Sequence, residues 1–144
     1  MRSSITLSIL FSLMIGCTHS ESPREVYDRH VQLEVSGITI EQFMSVYSQR
    51  KQLDIEASVK ELMEKNGPRF SREQIIERSL SVIQSIAKCK NLEFLNEDID
   101  GNKATLSYKA TDDCMEGTIN IKKEVIYMIY ENGWKIDDND IQKL

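Results

Sequence analysis

Three segments between residues 39 and 88 have apolar residues at spacings of three and four, the period of an amphipathic α-helix. The predicted helices are Thr39 to Arg50, one that begins near Asp54 and ends at Asn66-Gly67-Pro68, and one from Ser71 to about Lys88. Thr39 and Gln42 have the spacing of a capping box, which marks a helix start. The same spacing recurs at Ser71 and Gln74. Helices are therefore predicted to fill the first half of the domain.

The segment from Arg24 to Val35 has two periods at once. Its apolar residues at 31, 33 and 35 alternate as in a strand, whereas those at 26, 27, 30 and 31 are spaced as in a helix. We favour a helix here, with a strand as the alternative.

After Cys89 the apolar period changes to two, which is typical of β-strands. The predicted strands are Leu92 to Ile99, Lys103 to Ala110, Gly117 to Tyr130 and Trp134 to Asp138. Asp100-Gly101 and Asn132-Gly133 are turn dipeptides, which predict an antiparallel meander. Helices followed by strands predict an α+β domain, with the N-terminal helices packed on one face of a curved four-stranded antiparallel sheet.

The long predicted strand ends with apolar residues on both of its faces. One face carries Val125, Tyr127 and Ile129, and the other carries Ile126, Met128 and Tyr130. A strand that is apolar on both faces must be covered on both, so one face should meet the helices and the other needs a partner, a ligand or a loop. We predict that the second set is the interaction surface, with coverage by the tether or a terminal segment as the alternative.

Residues 1–17 have the three-part layout of an export signal. Arg2 supplies a positive charge, Ile5 to Ile15 is apolar, and Gly16 precedes Cys17. The apolar run is shorter than the roughly 20 residues that a membrane-spanning helix needs. Met14-Ile15-Gly16-Cys17 resembles the lipobox of bacterial lipoproteins, with Met14 where the family prefers Leu. The resemblance implies cleavage before Cys17, which then carries lipid; a plain secretory signal is the alternative.

Domain organisation and location follow from that resemblance. Residues 1–16 are predicted to be the signal peptide, 17–23 a lipidated flexible tether, and 24–144 a single α+β roll domain. Thr18 follows the cysteine in place of the Asp that retains many Gram-negative lipoproteins in the inner membrane. We therefore expect the periplasmic face of the outer membrane, which the chain contacts through its lipid anchor.

The net charge narrows the range of expected binding partners. The formal net charge of -5 at pH 7 becomes -6 when residues 1–16 are removed, since they contain Arg2 and no acidic residue. This balance disfavours nucleic acid and anionic membrane surfaces as partners.

Once Cys17 carries lipid, Cys89 and Cys114 remain, and an oxidising compartment favours a disulfide between them. Two separate buried thiols are the alternative.

Patterns for metal and cofactor sites are weak. The segment from Asp98 to Asn102 begins like a calcium loop, but Lys103 and Lys109 occupy the positions of its glycine and its bidentate glutamate. The acidic residues Asp137, Asp138 and Asp140 are predicted to be a solvated terminus, with a weak cation site as the alternative. No metal and no cofactor are predicted.

A helix with the sequence DIEASVKELM and a meander ending in YMIYENGWKIDD resemble small bacterial lipoproteins with a nuclear transport factor 2-like domain, a cystatin-like roll. The resemblance covers most of residues 23–140. It implies a cone between helices and sheet, and in this family the outer sheet face often forms a dimer contact. The candidate cavity-lining residues are Tyr47, Tyr108, Tyr127 and Trp134.

Enzymes on this roll place an Asp or His base inside the cone beside a tyrosine, and His30 is the one histidine of the predicted domain. We predict a non-enzymatic envelope lipoprotein that binds a small ligand, another envelope protein or a second copy of itself through its sheet. An isomerase- or hydrolase-type enzyme is the alternative, which a cavity with a desolvated carboxylate, or with His30 beside a tyrosine, would favour. A structural dimer with a filled cone is a third hypothesis.

Overall fold

The computed structural model describes residues 20–114 and 121–143, in which helices precede a single sheet. The helices are α1 Pro23–Ser36, α2 Ile40–Val46, α3 Gln49–Asn66 and α4 Arg72–Cys89, with a 3-10 turn at Gly67–Arg69. The strands are β1 Lys90–Asp100, β2 Lys103–Asp112, β3 Lys122–Tyr130 and β4 Trp134–Lys143. They form an antiparallel sheet in the order β1-β2-β3-β4, so the predicted α+β class is confirmed.

Capping boxes begin three of the helices. The predicted boxes at Thr39 with Gln42 and at Ser71 with Gln74 are both present. A third box, in which the Ser22 hydroxyl accepts a hydrogen bond from the amide of Glu25, begins α1. Helix α1 therefore confirms the helical interpretation of residues 24–35, and the strand alternative is wrong.

The predicted helix from Thr39 to Arg50 is interrupted at Tyr47 and Ser48. Tyr47 has an extended backbone, and the amide of Ser48 donates a hydrogen bond to the carbonyl of Ile136 at 2.9 Å. Ser48 is also the N-cap of α3, since its hydroxyl accepts a hydrogen bond from the amide of Lys51 at 3.1 Å. The chain leaves the helical conformation here because pairing with β4 satisfies its backbone.

Two acidic residues predicted as a solvated terminus are instead bound to the start of α3. Asp137 accepts hydrogen bonds from the Ser48 hydroxyl at 2.5 Å and from Nε of Arg50 at 3.1 Å. Asp138 accepts one from Nζ of Lys51 at 2.9 Å. Burial alone would raise the pKa of Asp137, but the hydrogen bonds from Arg50 and Ser48 hold it below its ordinary value. These residues fasten β4 to α3.

The helix-facing side of the sheet forms the larger core. Its buried residues are Ala104, Leu106 and Tyr108 of β2, Ile126 and Met128 of β3, and Ile136 of β4, which pack against Val26 and Tyr27 of α1. A second core lies among the helices and contains Ile38, Phe43, Val59, Ile75, Ile76 and Leu80. Burial of these apolar side chains is the main force that holds the helices on the sheet.

The predicted interaction surface requires correction. Ile126 and Met128 are fully buried on the helix-facing side, where they pair in register with Leu106 and Ala104. Tyr130 ends the same face and is exposed. Both faces of β3 are apolar, so the sequence period identified which residues share a face but could not decide which face meets the helices.

Several remaining predictions concern the chain ends and the cysteines. Strand β3 is described from Lys122, and the predicted start at Gly117 lies outside the described residues, as do the signal peptide and Cys17. Cys89 and Cys114 are paired as predicted, with a Cα–Cα distance of 5.1 Å, and this contradicts the alternative of two separate thiols. Among the described residues, no helix combines the length and hydropathy needed to cross a bilayer.

Candidate functional site

A cavity of about 240 Å³ lies between α1, α4 and the sheet, and we call it the inner cavity. Its polar lining residues are Tyr27, His30, Glu34, Tyr47, Lys90, Glu124 and Asn139. Its apolar lining includes Ile83 and Ile86 of α4 and Ile141 of β4. A mostly apolar hollow with a few convergent polar groups is the usual form of a small-molecule site.

Glu124 is a buried carboxylate in the wall of the inner cavity. It is 5% exposed and lies on the helix-facing side of β3, in register with Tyr108. Nζ of Lys90 lies 2.9 Å from Oε1 and 2.7 Å from Oε2, and the Tyr27 hydroxyl donates to Oε1 at 3.3 Å. A buried charge is costly unless it is paired, and here Lys90 and Tyr27 supply the partners.

His30 lies in the same wall and is 3% exposed. Its Nε2 is 3.1 Å from Oε1 of Glu34, one helical turn further along α1. Two lone pairs would repel at that distance, so we assign a proton to Nε2. In the neutral imidazole this leaves Nδ1 as an acceptor, and Nδ1 is buried without a hydrogen-bond partner among the described residues.

Tyr47 completes the arrangement from the extended link between α2 and α3. Its ring is edge-on to the His30 ring, with centroids 5.7 Å apart. Its hydroxyl makes no hydrogen bond within the described part of the chain. Burial, followed by the charges of Glu34 and Glu124, raises the pKa of Tyr47, so the hydroxyl keeps its proton at neutral pH and is available as a donor.

The four residues predicted to line a cavity lie in different places. Tyr47 lines the inner cavity, whereas Trp134 lines a second cavity of about 330 Å³ beside the start of α1. Tyr108 is packed in the core, and its hydroxyl donates to Asp28 at 2.8 Å. Tyr127 is 40% exposed on the opposite face of the sheet. The sequence pattern could not separate these environments. Each residue fits the local pattern of its own helix or strand, and that pattern does not show which cavity or face of the sheet the side chain meets.

Glu34, Lys90 and Glu124 were not identified from the sequence. Lys90 and Glu124 are 34 residues apart, and sheet pairing brings them together. One local signal was available for Glu124, because it shares a face with Ile126 and Met128 and interrupts an otherwise apolar set. A charged residue in a buried register indicates a specific partner.

A cluster of possible metal ligands among the described residues consists of Cys89, Asp112 and Cys114. Both sulfur atoms belong to the disulfide, so neither is a thiolate that could bind a metal ion.

Comparison of the chain with protein-family models, with curated proteins and with solved structures finds no match in any of the three.

Proposed function

We propose that this chain is a cell-envelope lipoprotein whose α+β domain binds a small organic ligand in the inner cavity. The observation that carries the proposal is the buried Nδ1 of His30, which has no partner among the described residues, in the same wall as the free Tyr47 hydroxyl. Most buried polar atoms in folded proteins have a hydrogen-bond partner. A bound molecule would supply a donor to Nδ1 and a partner to the Tyr47 hydroxyl, which can donate or accept a hydrogen bond.

The environment of these groups also supports ligand binding. The pairs Lys90 with Glu124 and His30 with Glu34 are fixed by packing and register, so the cavity is formed before any ligand arrives. Preformed polar groups lose little freedom on binding, which favours affinity. The cavity is smaller than the usual range for ligand sites, roughly 300–1,000 Å³, so its occupant is a molecule of fragment size.

Ligand binding is tested by NMR on the full-length protein in lipid nanodiscs, with a mixed set of small alcohols, amides, amines and acids. We expect binders to shift the methyl resonances of Ile83 and Ile141. Tyr47→Phe should weaken the best binder about fivefold, since it removes one hydrogen bond worth about 1 kcal/mol. Tyr127→Phe, which removes the same oxygen on the opposite face, is the matched control and should leave affinity unchanged.

An absence of shifts at the inner cavity across the whole set would overturn this proposal. Shifts confined to the second cavity beside Trp134 would also contradict it.

Lipid attachment at Cys17 remains part of the proposal, supported by the resemblance of residues 14–17 to a lipobox. We expect mass spectrometry of the mature protein to find Cys17 as the first residue, carrying a diacylglyceryl group and an amide-linked acyl chain. Cys17→Ala should release the protein from the membrane fraction. An unmodified Cys17, or a variant that stays equally membrane-bound, would contradict the assignment.

The nuclear transport factor 2-like roll remains our proposal for the fold family. It is supported by the order of elements and by a cavity enclosed between the helices and the sheet.

Catalysis by the same cavity is a second candidate function, which one observation favours. His30 is oriented through Nε2 by Glu34, its Nδ1 is unpaired, and the protonated Tyr47 hydroxyl belongs to the same wall. A base held by a carboxylate beside a hydrogen-bond donor is an arrangement that proton-transfer enzymes use. Turnover of activated esters or of β,γ-unsaturated ketones that is abolished by His30→Gln would favour this function over binding alone.

A further inference from the structure

We propose that the ligand of the inner cavity is an amphipathic amine, a small molecule with a protonated amino group and an apolar chain or ring. This inference rests on the proposed function, because it names the chemical class that the same cavity accepts. Four features of the wall lead to it: its charge balance, its hydrogen-bond acceptors, its aromatic rings and its apolar rim.

The charge balance leaves one carboxylate of the wall without a cation. Lys90 and Glu124 form a close pair through both carboxylate oxygens, so their charges offset each other. Among the described residues Glu34 forms no pair with Lys or Arg, and its partner is the His30 imidazole, which we take in the neutral form considered above. With His30 neutral, the wall carries one net negative charge, which attracts a cation and disfavours an anionic ligand.

The hydrogen-bonding groups favour the same class. An ammonium group is a donor only, with three protons to give, and the oxygen of the Tyr47 hydroxyl can accept one of them. Glu34 and His30 both line the inner cavity, and each carries an acceptor, the Glu34 carboxylate and the unpaired Nδ1 of His30. His30 lines the second cavity as well. Hydrogen bonds between charged groups are stronger than those between neutral ones, so an amine gains more from Glu34 than an alcohol does.

Aromatic rings add to the attraction for a cation. Tyr27 and Tyr47 both line the cavity. The face of a tyrosine ring carries negative charge density and attracts ammonium groups, more strongly where water is excluded. Tyr27 is buried and Tyr47 is partly buried. Burial and the charges of Glu34 and Glu124 raise the pKa of each, which indicates that these carboxylates act electrostatically in the cavity.

The rim of the cavity accounts for the apolar part of the ligand. Ile86 is 58% exposed and Ile141 is 55% exposed, and both line the cavity together with the partly buried Ile83. Large apolar side chains exposed at the rim of a cavity with a few convergent polar groups match a ligand that has an apolar portion next to its polar group. A ligand of this kind would cover both isoleucines.

The test compares three probes of equal chain length: hexylamine, hexanol and hexanoate. Each is titrated into the full-length protein in lipid nanodiscs, with the methyl resonances of Ile83, Ile86 and Ile141 as the readout. We expect hexylamine to bind at least tenfold more tightly than hexanol, and hexanoate to bind more weakly than both. This comparison needs no variant, so it does not depend on the folding of a mutant.

The Glu34→Gln variant then measures how much the negative charge of Glu34 contributes to binding. It should weaken hexylamine about tenfold and leave hexanol unchanged, while Tyr127→Phe on the opposite sheet face should change neither. The melting temperature of each variant is measured alongside to confirm that it is folded.

The amine class is overturned if hexanol or hexanoate binds as tightly as hexylamine, or if folded Glu34→Gln binds hexylamine as well as the parent does. Failure of all three probes also overturns it. Failure of the proposed function is a separate outcome, in which the wider set of small alcohols, amides, amines and acids also gives no shift at the inner cavity.

Discussion

Replacing Met128 with Glu is expected to unfold the domain. Met128 is 2% exposed and lies between Ala104 of β2 and Ile136 of β4 in the register of the sheet. The substitution removes a buried apolar side chain and places an unpaired carboxylate in the larger core. Either change costs several kcal/mol, and together they are comparable to the whole stability of a typical domain, about 5–15 kcal/mol. Circular dichroism and thermal melting measure the loss.

The neighbouring residue supplies the matched control. Tyr127→Glu introduces the same charge one position earlier, on the opposite face of β3, where the side chain is 40% exposed. Its expected cost is about 1 kcal/mol or less, because the new carboxylate remains in water. If Met128→Glu instead melts at the parent temperature, the face assignment of β3 is wrong and the exposed interaction surface predicted from the sequence is reinstated.

The contrast between these two positions shows what an alternating pattern can and cannot predict. The period of two correctly separated Met128 from Tyr127, and the capping spacing correctly located the start of α4 at Ser71. Both signals are local, because they depend on residues within one turn or one strand. The choice of buried face depends on where the helices pack, and that is decided by contacts between distant segments.

The break at Ser48 has a similar cause. The apolar period continues through Tyr47, so the local pattern predicts an uninterrupted helix. Pairing of Ser48 with Ile136 and its hydrogen bond to Asp137 override that preference, and both partners are nearly 90 residues away. The acidic residues of β4 were misassigned for the same reason, since Arg50 and Lys51 are distant in sequence and adjacent in space.

The candidate site was only partly accessible from the sequence. His30 and Tyr47 could be named from residue type, because His30 is the one histidine of the predicted domain and Tyr47 is a tyrosine on the apolar face of a predicted helix. Glu34 lies one helical turn from His30 and would have followed from the helical interpretation of α1. Lys90 and Glu124 meet only when the end of α4 reaches β3, so their pairing is a property of the fold.

Removing the disulfide is the second change with a large expected effect. Cys89 ends α4, and Cys114 follows β2, at a sequence separation of 25. The intervening hairpin already brings these ends together, since Lys90 pairs with Asp112 and the amide of Asp113 donates to the carbonyl of Cys89 at 2.7 Å. The bond therefore adds little to the order of the folded state, and its main effect is to restrict the unfolded chain.

Closing a loop of this length stabilises the fold by about 3.5 kcal/mol on the chain-entropy estimate. For a domain of this size, Cys89→Ala/Cys114→Ala should lower the melting temperature by about 10 °C and leave the native circular dichroism spectrum unchanged. Reduction of the parent should have the same effect, which separates loss of the bond from loss of the sulfur atoms. Labelling of both cysteines in denatured, unreduced protein would contradict the pairing. Equal stability of parent and double variant would instead show that the hairpin persists in the unfolded chain, so that the cross-link restricts nothing further.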